Sequence, residues 1–422
     1  MAVVHVVGAG LAGLAAAVRL SERHQPVRLY EAGQQAGGRC RSYFDRTLGR
    51  VIDNGNHLLL SGNRSALEYL AAIGSEDSLT GPPEAAFPFL DLANGEHWVV
   101  RPSAGRLPLW LAQPSRRIPG TRLADYLAAW RLACAGPEHS VAQCLDTRAA
   151  LWRRFWDPLA RAVLNTPPEQ GSAQLLWATL RESFSRGGAG CRPLIARDSL
   201  AASLIDPALE RLAERGVAVA FGQRLRALRR EGGLAQSLDF GQRQVALAAG
   251  DQVILALPPG QIGALLPEIP VPAAGHAIVN GHFRLARPLR LPGSLPLLGL
   301  IGGTAEWLFL REELVSITVS AADALAEDPA EQIAERLWAD AARALALPAA
   351  PQPPARIVKE RRATFAQTPE AAARRPAAAT AWRNLLLAGD WTATGLPATI
   401  EGAVRSGQHA AELALRRLAD AA

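Results

Sequence analysis

"AVVHVVGAGLAGLAAAVRLSERHQPVRLYEA" runs from Ala2 to Ala32, and its reading decides the fold. Val3 to Val7 is short, apolar and mostly β-branched, the pattern of a buried parallel strand. "GAGLAG" follows, with glycines at Gly8, Gly10 and Gly13. Leu14 to Arg23 is rich in Ala, Leu and Arg and predicts a helix, and Val27 to Tyr30 predicts a second strand that ends at Glu31. Each glycine has a separate task. Gly8 permits the tight strand-to-helix turn, Gly10 lets a pyrophosphate approach the backbone, and Gly13 lets helix and strand pack closely. The helix start, at Leu11 and Ala12, offers unpaired N–H groups to phosphates, and Glu31, followed by Ala32, can accept from a ribose diol. A lone glycine triplet is weak evidence. Strand, triplet, helix, strand and acid in register predict a dinucleotide site.

Just beyond lies "AGQQAGGRCRS", Ala32 to Ser42, with a second glycine pair, Gly37 and Gly38, beside Arg39. The planar fork of a guanidinium suits a pyrophosphate. Simple nicotinamide enzymes do not need this element. At the other end of the chain, "NLLLAGDWTATGLPATIEGAVRSG" (Asn384 to Gly407) reads as a buried strand stopped at Gly389-Asp390, a Gly-Leu-Pro turn and a helix start.

These motifs resemble flavoproteins of the amine oxidase and carotenoid desaturase superfamily. The resemblance implies an α/β fold: a discontinuous Rossmann-like FAD-binding domain, plus an α+β substrate domain with a mixed or antiparallel sheet and helices. It implies FAD as cofactor. It divides the chain into FAD-binding segments at 1–78, 201–261 and 361–422, a helical, membrane-facing substrate part at 79–200, and a substrate sheet and helix at 262–360. By the same resemblance the cofactor is held by Gly8, Gly10, Leu11, Ala12, Gly13, Glu31, Ala32, Gly38, Arg39, Asn54, Gly55, Leu225, Gly389, Asp390, Pro397, Thr399 and Ile400. Asp390 would meet the ribityl or phosphate region. Thr399, Ile400 and Glu401 would open a helix whose N-terminus faces the flavin ring and favours negative charge there. In the middle of the chain, "GVAVAFGQRLRAL" reads as a strand pair carrying Leu225, and "DQVILALPP" as a strand stopped by two prolines.

The resemblance narrows on "DNGNHLLLSGN" (Asp53 to Asn63), "PLARAVLNTPPEQGSA" (Pro158 to Ala173), "GGAGCRPLIARDSL…LIDPALE" (Gly187 to Glu210) and "ATFAQTP" (Ala363 to Pro369). Together with the C-terminal stretch these look like the hydroxysqualene dehydroxylase family. That implies reduction of hydroxysqualene to squalene in squalene and hopanoid synthesis, with hydride taken from the reduced flavin. An external donor, a nicotinamide cofactor or a redox protein, is then expected. Gly171 departs from the pattern, where a helix-favouring residue is expected. Alternatives are a carotenoid-type polyene desaturase or isomerase, an amine oxidase, and a non-enzymatic prenyl-protein escort. The complete flavin motifs speak against the escort. Trp391 is the only aromatic where amine oxidases place a tyrosine.

His57 is the candidate catalytic acid, because a histidine can donate near neutral pH. Glu169, Asn165 and Lys359 are weaker candidates, and Asp53 and Asn54 read as loop-holding residues. Lys359 is the chain's only lysine, so nearly all of the basic charge is Arg. The formal net charge is +6. No Lys/Arg block with interleaved aromatics appears, so no nucleic-acid partner is expected. No metal is expected either: Cys40, Cys134, Cys144 and Cys191 are scattered, without metal-ligand spacing.

"RLPLWLAQPSRR" (Arg106 to Arg117) and the helix expected over "TRLADYLAAWRLACA" mix Trp, Leu and Arg as interfacial segments do. With an apolar isoprenoid substrate, this predicts a membrane surface as partner. No apolar run is long enough to span a bilayer, and no secretory leader precedes Val3. A peripheral protein on the cytoplasmic face is the expectation.

Overall fold

The computed structural model describes residues 2–291, 293, 295–347 and 351–420. The opening stretch folds as its pattern predicts: strand Val4–Val7, helix Leu11–Glu22 and strand Val27–Tyr30. These two strands are the centre of a five-stranded parallel sheet, ordered Val219–Ala220, Val27–Tyr30, Val4–Val7, Gln252–Leu255, Leu385–Leu387. Val4–Val7, Gln252–Leu255 and Leu385–Leu387 are buried throughout, so apolar side chains suit both faces. Strands hundreds of residues apart thus become neighbours, and the chain ends of three of them converge beside the glycine turn.

The Ala-rich face of helix Leu11–Glu22 packs against the C-terminal helix Ile400–Asp420. A Cβ on Gly407 would lie 2.0 Å from the carbonyl oxygen of Ala12, so the crossing requires glycine there.

A second sheet has seven strands, ordered Ala355–Glu360, Ile278–Arg284, Leu314–Val319, Trp307–Arg311, Leu297–Ile301, Phe87–Asp91, Glu96–Val100. All neighbours are antiparallel except Leu297–Ile301 against Phe87–Asp91. The stretch 79–200 therefore supplies two strands to this sheet as well as helices. One face is covered by helix Ala330–Ala344, whose Ile333, Ala334, Leu337 and Trp338 join one apolar cluster. The other meets an aromatic cluster with Phe87, Phe89, Trp98, Trp152, Trp156, Trp307 and Phe309.

The helix expected over "TRLADYLAAWRLACA" is two short helices, Leu123–Leu127 and Ala129–Ala133. The turn tightens at Ala128, whose N–H reaches back three residues to Asp125. Gly171 lies in a turn rather than a helix: its N–H donates to the Pro167 carbonyl, and a Cβ would crowd Leu164 at 2.8 Å. That is why a helix former is absent there.

Candidate active site

The cradle begins at the glycine turn. Gly8 has φ +105°, and a Cβ there would fall 2.3 Å from the Ala256 carbonyl oxygen. A Cβ on Gly13 would fall 1.8 Å from the carbonyl oxygen of Gly8. Gly10 is different. Its φ is −76°, and a Cβ would meet only the Gly38 Cα, at 4.0 Å. The second glycine pair closes on the first, since Gly37 donates to the Ala9 carbonyl at 2.8 Å. Gly10 and Gly38 thus meet backbone to backbone with no side chain between them, since a Cβ on Gly38 would lie 3.4 Å from the Gly10 Cα.

Glu31 sits at the sheet's edge of this cradle. Its Oε2 accepts from the Ala9 N–H at 2.8 Å and its Oε1 from the Gly33 N–H at 2.7 Å. Ala32 follows, half-buried. The segment leading to Leu225 is tied over Glu31 by the Gln223 N–H, which donates to the Glu31 carbonyl at 2.8 Å. Leu225 itself is buried against Val7 and Tyr30.

On the far side, Arg39 donates to Asp390 Oδ2 at 2.7 Å and to the Ala363 carbonyl at 2.7 Å. The Asp390 carboxylate raises the pKa of the Arg39 guanidinium. Gly389, with φ +146°, turns the chain so that Asp390 points at Arg39. Thr399 caps the C-terminal helix: its Oγ1 accepts from the Gly402 N–H at 3.0 Å. Pro397 is buried just before it, and Ile400 is the first helical residue. Glu401 points elsewhere. Its carboxylate accepts from the Ser65 and Ala66 N–H groups at 3.1 and 2.9 Å, so it caps the helix Arg64–Ala72.

Sequence reasoning missed Arg375. Its guanidinium donates to the carbonyls of Trp391, Leu396, Asp390 and Thr392 and to Thr394 Oγ1. It also lies over the Phe365 ring at 4.9 Å. Burial pushes its pKa down to about 10, so the cation persists at neutral pH. Only a guanidinium offers five donors in one plane to such a loop. In "AAARRPAAAT" nothing marks it out from a solvent-facing base.

The loop after strand Arg50–Asp53 joins this cradle to the seven-stranded sheet. Asn54 donates to Glu360 Oε2 at 3.1 Å, and a Cβ on Gly55 would lie 3.1 Å from Asn280 Nδ2. Asn56 donates to Thr318 Oγ1 at 3.0 Å, which donates to Asn280 Oδ1 at 2.7 Å. Asp53 is fully used in structure: Arg311, Ser42 and the Leu200 N–H all donate to it. His57 lines a small pocket with Asp53, Asn56, Ile195, Ala196, Leu200, Phe309 and Arg311. Its Nδ1 is 3.0 Å from the Gly55 carbonyl, which can only accept, so Nδ1 carries the proton. Burial lowers the His57 pKa, so the ring is neutral at pH 7 and Nε2 is an acceptor.

Glu169 is exposed, which leaves it no enclosed site in which to act as acid. Asn165 is buried in a left-handed turn, φ 45°, and is spent on structure: it donates to the His276 carbonyl and Thr364 Oγ1 and accepts from Ala321. Lys359 donates to the Asp328 carbonyl at a helix end. The second group that sequence reasoning missed is Glu306, in the connection between strands Leu297–Ile301 and Trp307–Arg311. Burial is the main reason its pKa is pushed up to about 7, against a pull downward from the Ser320 N–H, which donates to Oε2 at 2.8 Å. Ser320 leads to Ala321 and so to Asn165. Next to Asn165, the Leu164 carbonyl accepts from Gln367, whose Oε1 accepts from the Ala398 N–H at 2.8 Å. Glu306 is thus wired to the turn before the C-terminal helix.

The profile of flavin containing amine oxidoreductases matches residues 11–415. The chain belongs to that family. It is an FAD-dependent oxidoreductase, and the glycine-cleared cradle with the Arg39–Asp390 pair fits the dinucleotide. It is 49% identical to hydroxysqualene dehydroxylase of Rhodopseudomonas palustris over 413 residues, which is 98% of either chain. Identity to the proteins of that name from Sinorhizobium fredii and Zymomonas mobilis is 47% and 46%, over 98% of this chain and 98% and 99% of theirs. Among solved structures, a redesigned putrescine oxidase superposes with TM-score 0.71 at 18% identity, covering 98% of each chain. Cyclohexylamine oxidase from Brevibacterium oxydans superposes with TM-score 0.66 at 15% identity, covering 98% and 99%. At those identities the flavoenzyme likeness is one of fold.

Proposed function

We propose that this flavoenzyme reduces hydroxysqualene to squalene. The observation that carries the reading is the near-half identity with three hydroxysqualene dehydroxylases, which extends over 98% of the chain and so through its substrate half. An amine oxidase or a polyene desaturase has no such support.

On this reading the FAD is held by the residues set out above. Gly10 and Gly38 admit the pyrophosphate, the N–H groups of Leu11 and Ala12 and the Arg39 guanidinium meet it, and Glu31 meets the ribose. Asp390, the capped helix start at Thr399 and Ile400, and Asn54 and Gly55 would hold the flavin end. Bound and reduced, FAD supplies hydride. The chain's own side chains do the rest. The carbon–oxygen bond breaks with the hydroxyl leaving as water, so one proton must reach that oxygen, and the carbon takes the hydride pair. Glu306 is the proton donor on this reading: burial pushes its carboxyl up to about 7, and the Ser320 N–H and, through Ala321, Asn165 tie it to the turn before the C-terminal helix, whereas the neutral His57 ring keeps its one N–H on the Gly55 carbonyl. Phe309, from the aromatic cluster that also holds Phe89, Trp98 and Trp307, lines the His57 pocket and gives it an apolar wall. The substrate is a long apolar isoprenoid, so the working partner is a membrane surface on its cytoplasmic face. An external donor, a nicotinamide cofactor or a redox protein, must restore the reduced state.

The test is anaerobic. The holoenzyme is reduced, hydroxysqualene is added in detergent, and flavin absorbance and product mass are followed together. Reoxidation in step with squalene is the expected result. Enzyme that stays reduced with hydroxysqualene overturns the substrate while leaving the family intact.

A further inference from the structure

Among the described residues, eight large apolar side chains are exposed, and five of them fall within residues 107–130: Leu107, Leu109, Leu123, Leu127 and Trp130. Trp130 is 72% exposed and Leu127 71%. The two parts of this stretch are held together, because the Trp110 and Tyr126 rings meet edge-on with centroids 5.6 Å apart. The same stretch is basic. From 101 to 131 there are six arginines and one acid, Asp125, so five of the chain's six net positive charges are concentrated here. Asp125 is occupied in accepting from the Arg122 N–H. Among the described residues none of the six arginines forms an ion pair with a carboxylate; Arg116 and Arg117 donate instead to backbone carbonyls of the same stretch.

We propose that residues 101–131 are a docking face for an anionic phospholipid bilayer. Leucines and a tryptophan enter the acyl boundary while a collar of arginines meets the headgroup phosphates. Unpaired arginines fit a negative surface, and helices of five residues lie flat more readily than they span. The proposal deepens the lipid-phase reading of the substrate and rests on it for its purpose. A groove of about 340 Å³ opens beside the face, between Ala124, Leu127 and Ala128 on one side and Leu151, Trp152 and Trp156 on the other. Trp152 and Trp156 bound a five-residue π-helical turn, a form enriched at functional sites, and belong to the same aromatic cluster as Trp307 and Phe309. Phe309 also lines the His57 pocket, so one apolar cluster runs from the docking face to that pocket. A ligand leaving the bilayer through this groove would pass along that cluster.

The test uses the FAD-loaded full chain without substrate, so its outcome does not depend on what the enzyme reduces. Sedimentation is measured with vesicles of phosphatidylcholine alone and with added phosphatidylglycerol. Binding to the anionic vesicles, weakened by salt, is expected. Leu107→Ser/Leu109→Ser/Trp130→Ser and Arg106→Gln/Arg122→Gln are each expected to weaken it by roughly 10-fold or more. Flavin content, thermal unfolding and turnover of detergent-dispersed substrate should be unchanged. Wild-type protein that ignores anionic vesicles overturns the proposal, as do variants that bind as well as wild type. A wild-type dimer that the leucine and tryptophan changes convert to monomers, without vesicle binding, assigns the face to a second copy of the chain and also overturns it.

Discussion

Around the five-stranded parallel sheet, the groups aimed at the proposed cofactor site are mostly backbone: glycines that keep space clear and N–H groups at helix starts. Around the seven-stranded sheet, the groups proposed for the substrate side are side chains drawn from distant segments, such as Glu306, Trp98 from an edge strand and Trp156 from a π-helical turn. The first half is intolerant of added atoms and the second of altered chemistry. Breaking each half should therefore look different: loss of flavin or fold in one, loss of turnover with flavin retained in the other.

The largest effect belongs to the glycine turn, and two neighbouring substitutions separate its two tasks. Gly13→Ala puts a Cβ 1.8 Å from the Gly8 carbonyl oxygen, against backbone that cannot yield. It should cost about 3 kcal/mol, seen in denaturant unfolding, and give little holoenzyme. Gly10→Ala meets nothing closer than 4.0 Å, so the chain should fold normally. Its methyl enters the cradle, and FAD affinity should fall roughly 10- to 100-fold. Equal flavin binding by Gly10→Ala and wild type would mean that the cradle is not the pyrophosphate site.

Next comes Arg375. Arg375→Met removes the donors for four carbonyls and a hydroxyl in the Asp390–Leu396 loop. A cost of about 3 kcal/mol is expected, with flavin lost more readily on dilution. Arg375→Lys should recover little, since an ammonium cannot match a planar five-donor fork. Stability unchanged in both variants would show that the loop holds itself.

The glycine turn and the Gly-Asp return were legible in sequence because backbone recognition is local: the spacing of Gly8, Gly10 and Gly13 is itself the geometry. Arg375 and Glu306 were not legible. Each gets its character from burial and from partners far along the chain, which no short window contains. The same holds for strand Phe87–Asp91, whose pairing with Leu297–Ile301 spans two hundred residues. His57 shows a third case. Its position could be foreseen, but its protonation depends on one carbonyl, that of Gly55, which only the folded loop presents.

In the side-chain half, Glu306→Gln keeps the shape and removes the proton. Turnover should fall roughly 100-fold or more with KM little changed and flavin content intact. The wild-type rate should decline as pH rises through about 7, the pH at which this carboxyl ionises, and the variant should lose that limb. Stability should show the same group. Its folded pKa lies above its ordinary 4.5, so between about 4.5 and 7 the folded chain holds more protons than the unfolded one. Stability therefore falls as pH rises across that window, and Glu306→Gln should flatten the slope. A variant that keeps full turnover would remove Glu306 from the chemistry.

The smallest effect should be at His57, and it is the sharpest check on Glu306. With Nδ1 donating to Gly55 and burial favouring the neutral ring, His57 has no second proton to give near neutrality. Gln can keep a donor toward the Gly55 carbonyl, so His57→Gln should lose less than about 10-fold in kcat and leave the pH–rate profile unchanged. A loss above about 100-fold, with the limb near pH 7 abolished, would reverse the assignment. The proton would then come from an imidazolium, formed only once substrate or bound flavin had raised the His57 pKa. Glu306 would become a buried acid that merely holds Ser320 and, through Ala321, Asn165 in place.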